Sequence, residues 1–70
     1  MDDKEYAVSY YKDGILDEIG LHDVTTLAQA ISIAEDIAGK GATQVTIKYY
    51  EDGDLRHQWD LKGVSWVQYE

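Results

Sequence analysis

Apolar and polar residues alternate along two stretches near the start of the chain and three near its end; between them the apolar period lengthens to that of a helix. The first two stretches, residues 5–12 and 15–22, flank Asp13-Gly14. Asp-Gly is a strong signal for a two-residue hairpin turn. Such a turn pairs Lys12 with Ile15, Tyr10 with Asp17, Val8 with Ile19 and Tyr6 with Leu21. Opposed residues share a face. Tyr6, Val8, Tyr10, Ile19 and Leu21 therefore line one side, and Ala7, Ser9, Tyr11, Leu16 and Glu18 the other.

The middle of the chain reads as a helix. Thr26 followed three residues later by Gln29 fits a capping box. Leu27, Ala30, Ile31, Ile33, Ala34, Ile37 and Ala38 then form one stripe at helical spacing, and Gly39 and Gly41 around Lys40 supply the stop.

Residues 44–51 and 54–61 flank a second pair, Asp52-Gly53. A two-residue turn here sets Val45, Ile47 and Tyr49 against Asp60, Gln58 and Arg56, which splits the apolar face. A three-residue loop, Glu51-Asp52-Gly53, instead sets Val45 against Trp59, Ile47 against His57 and Tyr49 against Leu55. Because a one-residue slip reverses a whole face, the apolar pattern selects the longer loop. A turn at Lys62-Gly63 returns the chain as residues 64–69, pairing Leu61 with Val64 and Trp59 with Trp66. The expected architecture is α+β: one domain over residues 1–70, ordered β-β-α-β-β-β, an antiparallel sheet with one helix packed on one face. The pattern leaves open whether the first strand joins the third or the fifth.

With 70 residues the core is thin, since a chain of this size buries only roughly 60% of its unfolded surface. There is no cysteine, so stability comes from packing or from an oligomer. Any disorder is expected within the first four residues. The acidic N-terminus lacks the basic and apolar regions of a signal peptide, and no apolar run approaches the roughly 20 residues of a membrane span. A cytoplasmic protein is expected.

Charge narrows the partner classes. Fourteen acids against six bases give a net charge of −8. Affinity for nucleic acid rests largely on neutralising phosphates with Lys and Arg, so direct nucleic-acid binding is disfavoured, as is an anionic membrane. A protein partner with a basic surface is favoured, with electrostatic steering as the benefit; the plainer reading is that the charge serves solubility.

The helix covers one side of the sheet. The other carries Tyr11, Leu16, Glu18, Thr46, Lys48, Tyr50, Arg56, Gln58, Asp60, Ser65, Val67 and Tyr69. Tyr and Arg are enriched at binding hot spots, so this face is a candidate for a partner or a second copy; scattered aromatics on a wet sheet face are the plainer reading. Acids gather at hairpin tips, Asp13 near Asp17 and Glu51, Asp52 and Asp54 about Gly53. They suit a basic partner or an imitation of DNA phosphates, but Asp also belongs in tight turns for backbone reasons alone. The partner-binding set expected from the sequence is Tyr11, Leu16, Glu18, Lys48, Tyr50, Glu51, Asp52, Asp54, Arg56, Asp60, Val67 and Tyr69.

Catalytic and metal chemistry find little footing. The acidic tip lacks the spacing of a twelve-residue calcium loop. His22 and His57 have no assignable nucleophile or metal-ligand spacing, and a rim or packed histidine is the simpler account of each. No cofactor, metal site or enzymatic activity is expected. A homodimer through the open face, and a small ligand-binding domain or enzyme with a pocket at His57 or His22, stand as alternatives.

The stretch Val45-Thr46-Ile47-Lys48-Tyr49-Tyr50-Glu51-Asp52-Gly53, continued through Trp59 to Trp66-Val67, resembles the C-terminal hairpins of small phage anti-CRISPR proteins. Some type I inhibitors of that group pack a helix on an antiparallel sheet. The resemblance is one of layout and carries no residue roles. It implies a stoichiometric binder from a phage or mobile element that blocks a host defence complex by occluding a basic, nucleic-acid-handling surface.

Overall fold

A computed structural model describes residues 4–69. It contains β1 (Lys4–Lys12), β2 (Ile15–Leu21), α1 (Leu27–Gly39), β3 (Thr43–Glu51), β4 (Asp54–Lys62) and β5 (Ser65–Gln68). The five strands form one antiparallel sheet in the order β2-β1-β3-β4-β5, with α1 on one face. The α+β architecture and element order match the sequence reading, and the open question of hairpin order is answered by β1 lying against β3. Of the four N-terminal residues to which any disorder was confined, Lys4 opens β1, and residues 1–3 lie outside the described residues.

The first hairpin has the expected register throughout, from Lys12 opposite Ile15 to Tyr6 opposite Leu21. Asp13 (φ 55°) and Gly14 (φ 78°) both adopt the left-handed conformation that a two-residue turn between right-twisted strands requires. α1 begins as the sequence foretells. Thr26 Oγ1 accepts from Gln29 N at 3.2 Å, and Gln29 Oε1 accepts from Thr26 N at 3.3 Å, closing the capping box. At the other end Gly41, at φ 102°, turns the chain out of the helix.

The second hairpin departs from the expected register. Its turn has two residues, Asp52 (φ 54°) and Gly53 (φ 83°), so Glu51 pairs with Asp54 and Tyr50 with Leu55. The apolar face is restored by a bulge in β4 rather than by a longer loop. Arg56 is left unpaired, and beyond it Tyr49 meets His57 and Ile47 meets Trp59. This moves Leu55 from its expected place opposite Tyr49 to the side of Tyr50. The last turn is Gly63-Val64 rather than Lys62-Gly63, with Gly63 at φ 66°. Leu61 therefore pairs with Trp66, and Trp59 with Gln68, instead of the expected pairing of the two tryptophans. A further bulge, in β3 opposite Tyr10, places Gln44 at φ 52°.

Val8, Leu21, Ala30, Ala34, Ala42, Val45 and Ile47 make the sealed core between α1 and the sheet. A helix is about 10 Å wide and neighbouring strands lie about 4.8 Å apart, so one helix covers about two strands. α1 packs on β1 and β3. Tyr6, Tyr10, Trp59, Leu61 and Trp66 close the flanks as partly buried side chains. The Trp66 indole N–H donates to Glu35 Oε2 at 3.3 Å, tying β5 to the helix. Ile33, expected in the packed stripe, is exposed instead.

Candidate functional site

The sheet face away from α1 has no second layer among the described residues. Its centre is nevertheless closed: Ala7 and Ser9 on β1 are 3% and 8% exposed. Small side chains on β1 make a floor, and longer ones on β2 and β3 rise beside it. By register, Glu18 stands next to Ser9 and Lys48 next to Ala7. Lys48 Nζ reaches across β1 to Glu18 Oε1 at 3.3 Å. Toward β4, Thr46 Oγ1 donates to Asp60 Oδ1 at 3.0 Å, and Gln58 Nε2 to the same oxygen at 3.4 Å. Lys48, Glu18 and Asp60 thus form part of a polar lattice bound to the sheet itself.

The expected tyrosines do not gather into one patch. Tyr50 borders a shallow hollow with Glu5, Ala7, Glu18, Gly20 and His22. Tyr11 borders a second, with Ser9, Leu16, Lys48 and Asp60. Tyr69 borders a third, with Leu55, Arg56, His57 and Gln58. β1 and β3 run antiparallel, so Tyr11 and Tyr50, each near the end of its strand, stand at opposite ends of the face. Apolar exposure on this face comes from Leu16 (56%), Leu55 (49%), Val67 (43%) and Tyr69 (56%). Leu55 is a member that sequence reasoning missed, because the apolar pattern favours the longer loop over the two-residue Asp52-Gly53 turn that sets Leu55 beside Tyr50.

Arg56 was expected on this face. It is the unpaired residue of the bulge and turns to the hairpin tip, with Nε 3.7 Å from Glu51 and Nη2 3.9 Å from Asp54. The tip acids Glu51 and Asp54 are thus partly offset, while Asp52 engages in no ion pair among the described residues. Tyr50 and Gly53 line the same hollow, so this tip adjoins the open face at its Tyr50 end.

The histidines sit where simple packing puts them. His57 is exposed and lies 5.9 Å from Tyr49, nearly parallel to it, and 5.8 Å from Trp59. His22 Nδ1 is 3.6 Å from Glu5 Oε1, with the imidazole exposed and the carboxylate half-buried. Tyr6, 4.9 Å from Tyr49, has its phenol pKa raised by burial, with Tyr49 adding and Lys4 opposing. Among the described residues no group of three or more His, Cys, Asp or Glu is placed to hold a metal ion, and no helix is long and apolar enough to cross a membrane. No family model matches the chain, and neither does any curated protein or solved structure.

Proposed function

We propose that this chain is a non-enzymatic interaction module that binds a basic, nucleic-acid-handling protein surface and acts by occluding it, in the manner of a phage or mobile-element inhibitor of the anti-CRISPR kind. One observation carries the reading. A sheet face with no covering layer exposes Leu16, Leu55, Val67 and Tyr69 and adjoins the acidic tip of Glu51, Asp52 and Asp54, on a chain of net charge −8. Apolar side chains on that face supply contact area, and the carboxylates steer a basic surface toward it. Nucleic acid itself is a poor partner for the same reason, because its phosphates meet the same field.

The test is a pull-down from bacterial lysate with tagged chain, with and without nuclease, run beside the Tyr50→Ala variant. The expected result is one stoichiometric, nuclease-resistant partner with a basic surface, lost or weakened in a variant that keeps its thermal unfolding temperature. A Tyr50→Ala chain that captures the partner undiminished removes the open face from the account. A bait that recovers only itself, with a mass that rises with concentration, replaces the inhibitor with a homodimer.

A further inference from the structure

The sheet has two edges, and they are finished differently. β5 is a four-residue strand, and short edge strands are one of the ways proteins discourage strand addition. β2 has seven residues, six of them exposed, and pairs with β1 without a bulge from end to end. It contains no proline and no lysine, and nothing among the described residues pairs with its outer side. α1 packs mainly on β1 and β3, and of β2 only Leu21 joins the core, so Ile15 (62% exposed) and Ile19 (40%) are exposed on the helix side and Leu16 (56%) on the other.

The direction of its free hydrogen-bonding groups follows from the register. In a two-residue hairpin the closing pair, here Lys12 and Ile15, exchanges both bonds, and bonded and non-bonded pairs then alternate. The β4–β5 hairpin obeys the same parity: four pairs beyond its closing residues Lys62 and Ser65, Tyr69 N donates to Gln58 O at 2.8 Å. In β2 the alternation turns the N–H and C=O groups of Leu16, Glu18 and Gly20 away from β1. A neighbouring strand would meet Asp17 on the helix side and Glu18 on the open side. Asp17 makes no ion pair among the described residues.

We infer that the outer edge of β2 is a strand-addition site for an extended basic segment of a partner protein, joining the sheet as a sixth strand. The inference rests on the reading of the chain as a binder of basic protein surface and names how part of that surface is held. Backbone bonds to Leu16, Glu18 and Gly20 supply the attachment. Lysine or arginine side chains lie against Asp17 and Glu18, and aliphatic ones against Ile15, Ile19 and Leu16. Charge selects this occupant over a second copy, since two copies bring together two chains of −8.

The probe is an eight-residue peptide alternating lysine and threonine, titrated into the isotope-labelled chain and followed by amide hydrogen exchange in NMR; the same peptide with glutamate for lysine is the control. The lysine peptide is expected to slow exchange at the amides of Leu16, Glu18 and Gly20 by about tenfold or more, while the glutamate peptide leaves them unchanged. Asp17→Lys, outside the open face, is expected to weaken the lysine peptide by roughly two- to fivefold without shifting the other amides. Shifts centred on Tyr11 and Tyr50 without protection in β2 overturn the edge site and leave the open-face reading standing. Protection of the three amides that appears without peptide and grows with protein concentration overturns it in favour of a second copy. No change at β2 with either peptide overturns it outright.

Discussion

On the helix side of the sheet Val8, Val45 and Ile47 are sealed by a second element; on the other side Ala7 and Ser9 are sealed by nothing but their neighbours. The first burial comes from α1 lying across β1 and β3. The second comes from small residues on β1, with Glu18 and Lys48 joined above them. Both produce low exposure, but they are not energetically alike. Packed aliphatic side chains lose a cavity's worth of contacts when cut back, whereas a part-exposed ion pair over alanine and serine can be replaced by water at little cost. The difference explains how so thin a domain can leave one face open: the fold rests on the other.

The comparison breaks most sharply at Ile47, which is fully buried between β3 and α1. Ile47→Ala is expected to lose about 3 kcal/mol in urea unfolding, a large share of the stability of a small domain. The covered side also has a pH signature. Burial raises the pKa of Tyr6 in the folded chain, so its stabilising neutral form is fully present below pH 10 and is lost as pH rises through the folded value. Stability measured by thermal unfolding is expected to fall as pH climbs above 10, and less steeply in Tyr6→Phe. A smaller effect comes from the cap that starts the cover. Thr26→Ala removes the acceptor for Gln29 N and is expected to cost about 1 kcal/mol, read by the same urea titration. Smallest is the open side: Lys48→Ala breaks the bridge to Glu18 and is expected to cost about 0.5 kcal/mol.

Much of this layout is legible in the residues, and the reason is the period of two. The expected pairing of Ile47 with His57 and the observed pairing with Trp59 differ by two positions on β4, as do the expected and observed partners of Leu61 on β5. A two-residue shift returns every side chain to its own face, so apolar alternation reports faces well and register poorly. Asp13-Gly14 fixed both because nothing interrupts the first hairpin. In the second, the turn is the one Asp52-Gly53 favours, and the bulge at Arg56 then adjusts the strands behind it. The two-residue turn and that bulge together bring Leu55 from its expected place opposite Tyr49 to the open face and take Arg56 from that face to the tip, and so alter the candidate site at the two positions where alternation fails. Gln44 in the left-handed region is likewise invisible, since glutamine has no side-chain chemistry that favours φ of 52°. The separation of the tyrosines into three hollows depended on strand order, which the pattern left open.

Adjacent residues on opposite faces put the two sides to the most direct test. Tyr49 packs 4.9 Å from Tyr6 on the helix side, and Tyr50 stands beside it on the open face. Urea unfolding of Tyr49→Ala and Tyr50→Ala, measured together, is expected to show a loss of about 2 kcal/mol for the first and under about 1 kcal/mol for the second. An equal loss in both, or a larger one at Tyr50, would place Tyr50 among the residues that hold the fold and contradict an open face free to meet a partner.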